Sequence, residues 1–278
     1  MITVMRAGPL TTVQDLGRPG FAHLGVPRSG ALDQVALRRA NALVGNGMGA
    51  AGLETTLMGC ALRFEVAARA AVAGAEAVVR VDKQPVAEDV FEVPAGAVLD
   101  IGRARRGVRS YVAVAGGIDV EPVLGSRSTD TLSGLGPPRL TDGLSLPIGL
   151  LVDSPSAAAL PRVAPSTDGP LVLGVRIGPR DDWFETAGLF AEAYEISPVS
   201  NRVGCRLAGS ALTRTKAGEL PSEGVVLGAV QVPADGQPLI FLADHPTTGG
   251  YPVIGVVEDV APLAQARPGT TVRFRAID

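Results

Sequence analysis

Three short motifs from the first half of the sequence recur in the second half at nearly constant spacing. Met58–Leu62 resembles Val203–Leu207, Val93–Ala95 recurs as Val232–Ala234, and Tyr111–Val114 resembles Tyr251–Ile254. The offsets are 145, 139 and 140 residues. A nearly constant offset is what duplication of one structural unit produces. The sequence therefore predicts two related domains, which we place at residues 1–160 and 170–278, with a linker rich in proline and small residues at 153–170.

Glycine and proline interrupt the chain along its whole length, which limits how long its helices can be. The 35 glycines and 22 prolines are spread out rather than clustered, and this distribution favours short strands joined by turns. Two segments have the apolar spacing of a helix: 33–44, with Asp33 at its start and Gly45 as a stop, and 181–193. We therefore expect a mainly β fold with a few short helices.

Charge and cysteine content exclude several classes of function. The net charge is −3 and the longest basic cluster is Arg103–Arg106, so we expect neither a nucleic-acid partner nor a membrane partner. The chain begins in a strand-like pattern without the features of a signal peptide, which predicts a cytoplasmic protein. Two cysteines and two histidines are too few for a disulfide framework or an ordinary zinc site, so no metal is predicted.

The stretch 219–252 contains the candidate catalytic residues. Its two apolar runs, 225–232 and 238–243, are joined by turn-forming residues and predict a β-hairpin. His245 follows the second run and is the candidate for proton transfer, because its unperturbed pKa is about 6.5; the alternative is that it only caps the strand. Asp244 and Glu223 are the candidate catalytic carboxylates, although Asp244 is better suited to anchor the loop, since neighbouring side chains of a strand point to opposite faces.

Acid–base catalysis on a polar substrate also needs donors for an oxygen on which charge builds and a cation for any substrate carboxylate. Arg202 is the candidate cation, with a surface salt bridge as the alternative. The long loop Leu10–Gly30 either crosses the surface or lines the opposite wall of a cleft, and Leu124–Thr131 has the hydroxyls and arginine to cradle an anion. The predicted substrate-binding residues are Arg202, Asn201, Gln231, Thr247, Thr248, Gly249, Gly250, Tyr251, Asp15, Arg28 and Ser29.

Four segments together resemble a known protein family: Thr12–Asp33, Leu124–Gly136, Ser200–Gly209 and Ser222–Pro252. The family is variously described as allophanate hydrolase subunit 2, as biotin-dependent carboxyltransferase or as a 5-oxoprolinase subunit. The chain is also similar to the carboxyltransferase region of urea carboxylase and to the partner of a sporulation-kinase inhibitor. The resemblance implies a pair of cyclophilin-like β-barrel domains, and a partner subunit of similar ancestry with or without a third subunit.

The resemblance implies three alternative functions. In the preferred one, the chain is a hydrolase subunit of an ATP-dependent complex that opens 5-oxo-L-proline to L-glutamate. Because the chain has no GKS or GKT phosphate-binding motif, ATP is expected to bind largely to partner subunits. In the second function, the complex moves CO₂ from carboxybiotin to a urea-like amide, or hydrolyses allophanate. Neither Lys83 nor Lys216 lies in a Met-Lys-Met motif of the kind that carries biotin, so another chain would carry the biotin. In the third, the chain is a non-enzymatic regulator that binds an inhibitor of a kinase.

Overall fold

The computed structural model of the chain describes residues 1–150 and 169–278. These residues form two compact units. Residues 1–18 and 29–150 belong to the first unit, and residues 19–28 and 169–278 belong to the second. The predicted linker at 153–170 lies outside the described residues except for its last two positions, so the predicted division between residues 160 and 170 stays a prediction.

The first unit is built on one sheet, which has nine strands in the described part of the chain. They are β1 Ile2–Arg6, β2 Thr11–Gln14, β3 Gly52–Thr56, β4 Ala61–Phe64, β5 Ala68–Val81, β6 Gln84–Pro85, β7 Val90–Val93, β8 Val98–Val114 and β9 Ser145–Leu146. The order is β2-β3-β8-β4-β1-β9, and β5 pairs with β6, β7 and β8. Three register shifts between Gly74 and Val79 interrupt the pairing of β5 with β8, and such bulges bend a sheet. The sheet forms a half-barrel.

Helix α1, Gln34–Val44, covers one face of β5 and β8. Its ends are set locally, because the Asp33 side chain accepts a hydrogen bond from Ala36 N and Gly45 adopts the left-handed conformation that ends a helix. Side chains alternate across the sheet: Tyr111 and Ala113 of β8 pack with α1, whereas its Val112 and Val114 belong to the main core of the unit. Both faces of β8 are thus buried over residues 107–114.

The second unit contains a closed barrel of seven strands within the described residues. The strands of this unit are β10 Leu171–Ile177, β11 Tyr194–Ile196, β12 Gly204–Ala208, β13 Glu223–Gly224, β14 Ala229–Gln231, β15 Leu239–Phe241, β16 Thr248–Gly249, β17 Val253–Val257 and β18 Thr271–Ala276. The barrel order is β10-β17-β14-β15-β12-β11-β18, and a parallel pair of β10 with β18 closes it. β13 and β16 form a separate two-stranded ribbon. Helix α2 is Ala187–Ala191, and short 3₁₀ helices span Ala22–Leu24, Asp181–Trp183 and Ala261–Ala264.

The prediction of a mainly β fold with two β units and few short helices is confirmed. The helix predicted at 33–44 is present, and the predicted hairpin corresponds to the antiparallel pair of β14 with β15. Within the described residues, no helix is long and apolar enough to cross a membrane.

The helix predicted at 181–193 is wrong as a continuous element. Phe184 is extended, and the N–H of Glu185 donates to Thr213 O at 2.9 Å instead of to a carbonyl in a preceding helical turn. Thr215 N in turn donates to Trp183 O at 2.9 Å. Pairing with residues 213–215 therefore splits the predicted helix into a 3₁₀ turn and the five-residue α2.

The predicted loop 10–30 is also corrected. Thr11–Gln14 forms β2, which pairs with β3. The basic cluster Arg103–Arg106 lies within the continuous strand β8.

Candidate active site

His245 lies in a turn just after β15, and its ring orientation is set by the backbone. The N–H of His245 donates to Leu242 O at 3.1 Å, and the side chain is 6% exposed. Nδ1 lies 2.6 Å from Pro246 O. A carbonyl oxygen can only accept, so Nδ1 carries the proton, and in the neutral ring the lone pair is on Nε2. With this tautomer, Nε2 is the ring nitrogen that can accept a proton.

Asp244 and Arg202 form a buried ion pair beside this turn. Arg202 Nε donates to Asp244 Oδ2 and Nη2 donates to Oδ1, each at 2.9 Å, and the side chains are 1% and 0% exposed. A guanidinium engaged in this bidentate way is not presented to a ligand from solvent. In this structure Asp244 and Arg202 are engaged with each other beside the turn; the substrate contact predicted for Arg202 and the catalytic role predicted for Asp244 stay predictions.

Asn201 shapes the turn that precedes β12. Its Oδ1 accepts hydrogen bonds from Val203 N at 2.8 Å and Gly204 N at 3.3 Å. The residue is exposed. Its side-chain oxygen thus satisfies backbone donors of the turn, and the predicted contact of Asn201 with substrate stays a prediction.

Glu223 pairs with an arginine that the sequence analysis did not select, Arg180. Arg180 Nε donates to Glu223 Oε2 at 3.1 Å, and Nη2 donates to Oε1. This hydrogen bonding lowers the pKa of Glu223, so the carboxylate is ionised at neutral pH and is poorly suited to act as a general acid. The catalytic role predicted for Glu223 stays a prediction, and in this structure its carboxylate binds Arg180. The arginine was overlooked because its partner lies 43 residues away in the sequence.

Five predicted substrate-binding residues are consecutive in the chain and form residues 247–251, which we call the glycine segment. Thr247 O accepts from Val225 N at 3.0 Å, and Gly249 pairs with Glu223 in the β13–β16 ribbon. Thr248, Gly250 and the ring of Tyr251 are exposed. The structure thus brings the predicted hydroxyl and glycine donors together on the chain that directly follows His245.

Gln231 packs against the glycine segment. Its side chain is 4% exposed, and Nε2 donates to Tyr251 O at 3.0 Å. A Cβ atom at Gly249 would lie 2.7 Å from the same Nε2, so a larger residue there would require the Gln231 side chain to shift. Gln231 is a packing partner of the segment, not a side chain presented to solvent.

Asp15 and Ser29 belong to the first unit and lie in a buried polar network. Asp15 Oδ1 accepts from Ser126 Oγ and Ser128 Oγ, each at 2.6 Å, and from Gly17 N at 2.7 Å. Its Oδ2 accepts from Arg127 N at 2.6 Å. The loop 124–131 therefore does cradle an anion, but the anion is the carboxylate of Asp15. These bonds replace the predicted contact of Asp15 with a ligand.

Ser29 completes this network. Arg18 Nη1 donates to Ser29 Oγ at 3.2 Å, and Ser29 Oγ donates to Asp130 Oδ2 at 3.2 Å. Ser29 is 1% exposed, so it does not line a surface. Arg18 was visible in the sequence as a polar residue of the loop, but nothing in its spacing showed that it would be buried.

Arg28 keeps a chemical environment suited to ligand contact. It is half-buried and belongs to the second unit, as do His245 and the glycine segment. Among the described residues, no side chain or carbonyl accepts a hydrogen bond from its guanidinium. Within residues 1–150 and 169–278, His, Cys, Asp and Glu side chains form no group of three or more that could hold a metal ion.

The chain is similar to known proteins over nearly its whole length. The chain is 42% identical to a 5-oxoprolinase subunit of Escherichia coli, covering 99% of this chain and 90% of that protein. It is 33% identical to the 5-oxoprolinase subunit of the same name from Haemophilus influenzae, covering 100% and 91%. The solved urea amidolyase of K. lactis superposes with a TM-score of 0.87 at 30% identity, covering all of this chain and 19% of that longer one. The family described as carboxyltransferase domain, subdomain A and B, matches residues 24–276. The chain therefore belongs to this carboxyltransferase-domain family.

Proposed function

We propose that the chain is a subunit of an ATP-dependent complex that opens 5-oxo-L-proline to L-glutamate. The observation that supports this most directly is the 42% identity, over nearly the whole chain, with a protein named as a 5-oxoprolinase subunit. A subunit requires partners, and the resemblance found in the sequence points to a paralogous cyclophilin-like chain as one of them. Hydrolysis of a resonance-stabilised lactam is also a reaction that benefits from coupling to ATP.

His245 supplies the proton transfer in this proposal. With Nδ1 held by Pro246 O, Nε2 of the neutral ring removes a proton from the attacking water and later delivers it to the lactam nitrogen as the ring opens. The exposed Thr248 hydroxyl and the backbone N–H of Gly250 are the donors for the carbonyl oxygen while charge builds on it. Arg28 replaces Arg202 as the cation for the substrate carboxylate, because Arg202 is engaged by Asp244.

The loop 124–131 is the part of the sequence best suited to hold a phosphate, but Ser126, Ser128 and the N–H of Arg127 bind Asp15. The loop 124–131 does not offer these groups to a phosphate of ATP. The proposal therefore places ATP on partner subunits and derives no step of this chain through it.

Carboxyl transfer from carboxybiotin is the second candidate function. It is favoured by the superposition of the whole chain on part of a urea amidolyase. In that reaction the same histidine would remove a proton from a urea-like nitrogen, and the biotin would be carried by another chain.

The test is ATP-dependent glutamate release from 5-oxoproline by the chain assembled with its partner subunits. His245→Ala is expected to lower kcat by roughly 10²-fold or more, the usual scale for losing acid–base help, while the complex still assembles. His23→Ala is the matched control, because His23 is exposed and its Nδ1 also lies against a backbone carbonyl, Gly20 O at 3.1 Å.

Three outcomes would contradict parts of this proposal. Near-normal activity of the His245→Ala complex would assign the proton transfer to another residue. Activity that needs bicarbonate and is abolished by avidin would favour carboxyl transfer. A complex that binds its partners but turns over neither substrate would favour a regulatory protein.

A further inference from the structure

Arg180 holds the backbone on the C-terminal side of the glycine segment. It follows β10 and precedes the 3₁₀ turn Asp181–Trp183. Its N–H donates to Val253 O at 2.9 Å, and Val253 comes two residues after the segment ends. The main chain of Arg180 is therefore tied to the strand into which the glycine segment leads.

The side chain of Arg180 reaches the opposite edge of the same segment. Through Nε and Nη2 it binds both carboxylate oxygens of Glu223. The backbone of Glu223 pairs with Gly249 in the β13–β16 ribbon. One arginine thus contacts, by its main chain and its side chain, both of the elements that bracket the glycine segment.

Other contacts secure the ends of the segment but not its middle. Thr247 is held by Val225 N, and Tyr251 is held by Gln231 Nε2, each at 3.0 Å. Thr248 and Gly249 are held by a ribbon of only two residues per strand, and a ribbon this short is not stable by itself. The fork of Arg180 on Glu223 is the side-chain contact that secures this ribbon, because a bidentate pair fixes the orientation as well as the distance of its partner.

We infer that Arg180 is a positioning residue for the proposed reaction: acting through Glu223, it holds Thr248 and Gly250 in the place where they stabilise the substrate oxygen. This inference rests on the proposed function for its catalytic consequence, but not for its structural one. Arg180 does not contact the reacting atoms in this assignment, and Glu223 remains ionised.

Two measurements test the inference on the full chain. Hydrogen–deuterium exchange of the peptide containing residues 247–251, measured on the chain alone, reports the order of the segment. Arg180→Gln and Glu223→Gln are each expected to speed its exchange, and the double variant is expected to exchange no faster than either single one, since both remove the same contact. Asp182→Asn is the matched control: it breaks a more exposed ion pair, with Lys216, on the neighbouring turn, and should leave this peptide unchanged.

The second measurement is steady-state kinetics of the assembled complex. Arg180→Gln and Glu223→Gln are expected to lower kcat roughly 10- to 100-fold, the scale of a small misplacement of catalytic groups, with KM for 5-oxoproline changed much less. Arg180→Lys keeps the charge without the fork and is expected to recover only part of kcat. The double variant Arg180→Glu with Glu223→Arg exchanges the two charges. Its kcat is expected to be higher than that of either single charge-reversal variant.

The outcomes separate the inference from the proposed function. Unchanged exchange in Arg180→Gln would overturn the structural role, and faster exchange with unchanged kcat would overturn the positioning role. A rise in KM with constant kcat would instead mean that Arg180 binds the substrate, which also overturns the inference. If the wild-type complex does not hydrolyse 5-oxoproline, the proposed function fails, while the exchange measurement still decides whether Arg180 orders the segment.

Discussion

Replacing Asp244 with asparagine would leave a buried guanidinium without its counter-ion. Arg202 and Asp244 are 1% and 0% exposed, and two hydrogen bonds of 2.9 Å join them. Asparagine has nearly the same shape but no charge, and it can offer only one acceptor oxygen to the two donors. Water cannot reach Arg202 to compensate, since the side chain is almost completely enclosed.

The magnitude of the effect follows from this burial. Removing one partner of a buried ion pair costs about 3–5 kcal/mol, because the remaining buried charge loses the opposite charge that compensated for its desolvation. That is a large part of the roughly 5–15 kcal/mol by which most domains are stable. Asp182→Asn is the control, because its pair with Lys216 is exposed, with side-chain exposures of 58% and 48%, and exposed pairs contribute about 0–1 kcal/mol.

Urea unfolding followed by tryptophan fluorescence measures this prediction. Trp183 is the single tryptophan of the chain and lies in the second unit, as do Arg202 and Asp244. The signal therefore reports the unfolding of the unit that contains the pair, and the midpoint shift at constant slope gives the change in the free energy of unfolding. The double variant Arg202→Met with Asp244→Leu should cost less than Asp244→Asn alone, because no charge remains buried.

A loss below about 1 kcal/mol for Asp244→Asn would refute this reasoning, since it would equate the pair with exposed ones. A double variant that is less stable than the single one would also refute it. In that case the stability would come from the packing of the two side chains and not from the compensation of charge.

Two further predictions concern the first unit. Asp15→Asn is expected to destabilise this unit by about 1.5–3 kcal/mol for each charge-assisted hydrogen bond lost, because the amide NH₂ would face one of the donors whose hydrogen bonds the carboxylate accepts. Thermal unfolding measures this loss, with Asp142→Asn as the control, since the Asp142 carboxylate is bonded by a single backbone donor. Equal stability of the two variants would be inconsistent with the network around Asp15. Burial raises the pKa of Cys60 to about 12. Iodoacetamide should therefore not label this thiol in the native chain at pH 8, whereas it should label the chain unfolded in urea. Rapid labelling of the native chain, detected by mass spectrometry, would contradict the burial of Cys60.

Short-range features of the fold could be predicted from the sequence. Helix α1 begins and ends where Asp33 and Gly45 indicated, because a cap and a left-handed glycine act on backbone groups within a few residues. The hairpin of β14 with β15 was also predicted, since alternating runs and turn residues are local signals. The internal repeats and the glycine and proline distribution predicted two mainly β units, and the resemblance to known family motifs added the family itself.

Candidate site residues were selected by their chemical type, and the selection brought out His245 and the glycine segment as neighbours in the chain. Type alone did not show which polar groups are already occupied. Arg202 was selected as a free cation but is engaged by Asp244, 42 residues away, whereas Arg180 was not selected although it pairs with Glu223.

The tertiary structure decided every feature that depends on a partner distant in the sequence. The segment 181–193 has helical spacing, but hydrogen bonds to residues 213–215 compete successfully with the helix. Asp15 finds Ser126 and Ser128 more than 100 residues along the chain. A sequence determines which groups can donate, accept or carry charge, and its periodicity determines local backbone structure. Whether a given charge meets a substrate or a neighbouring side chain is decided by burial and by long-range pairing, which arise only when the strands assemble.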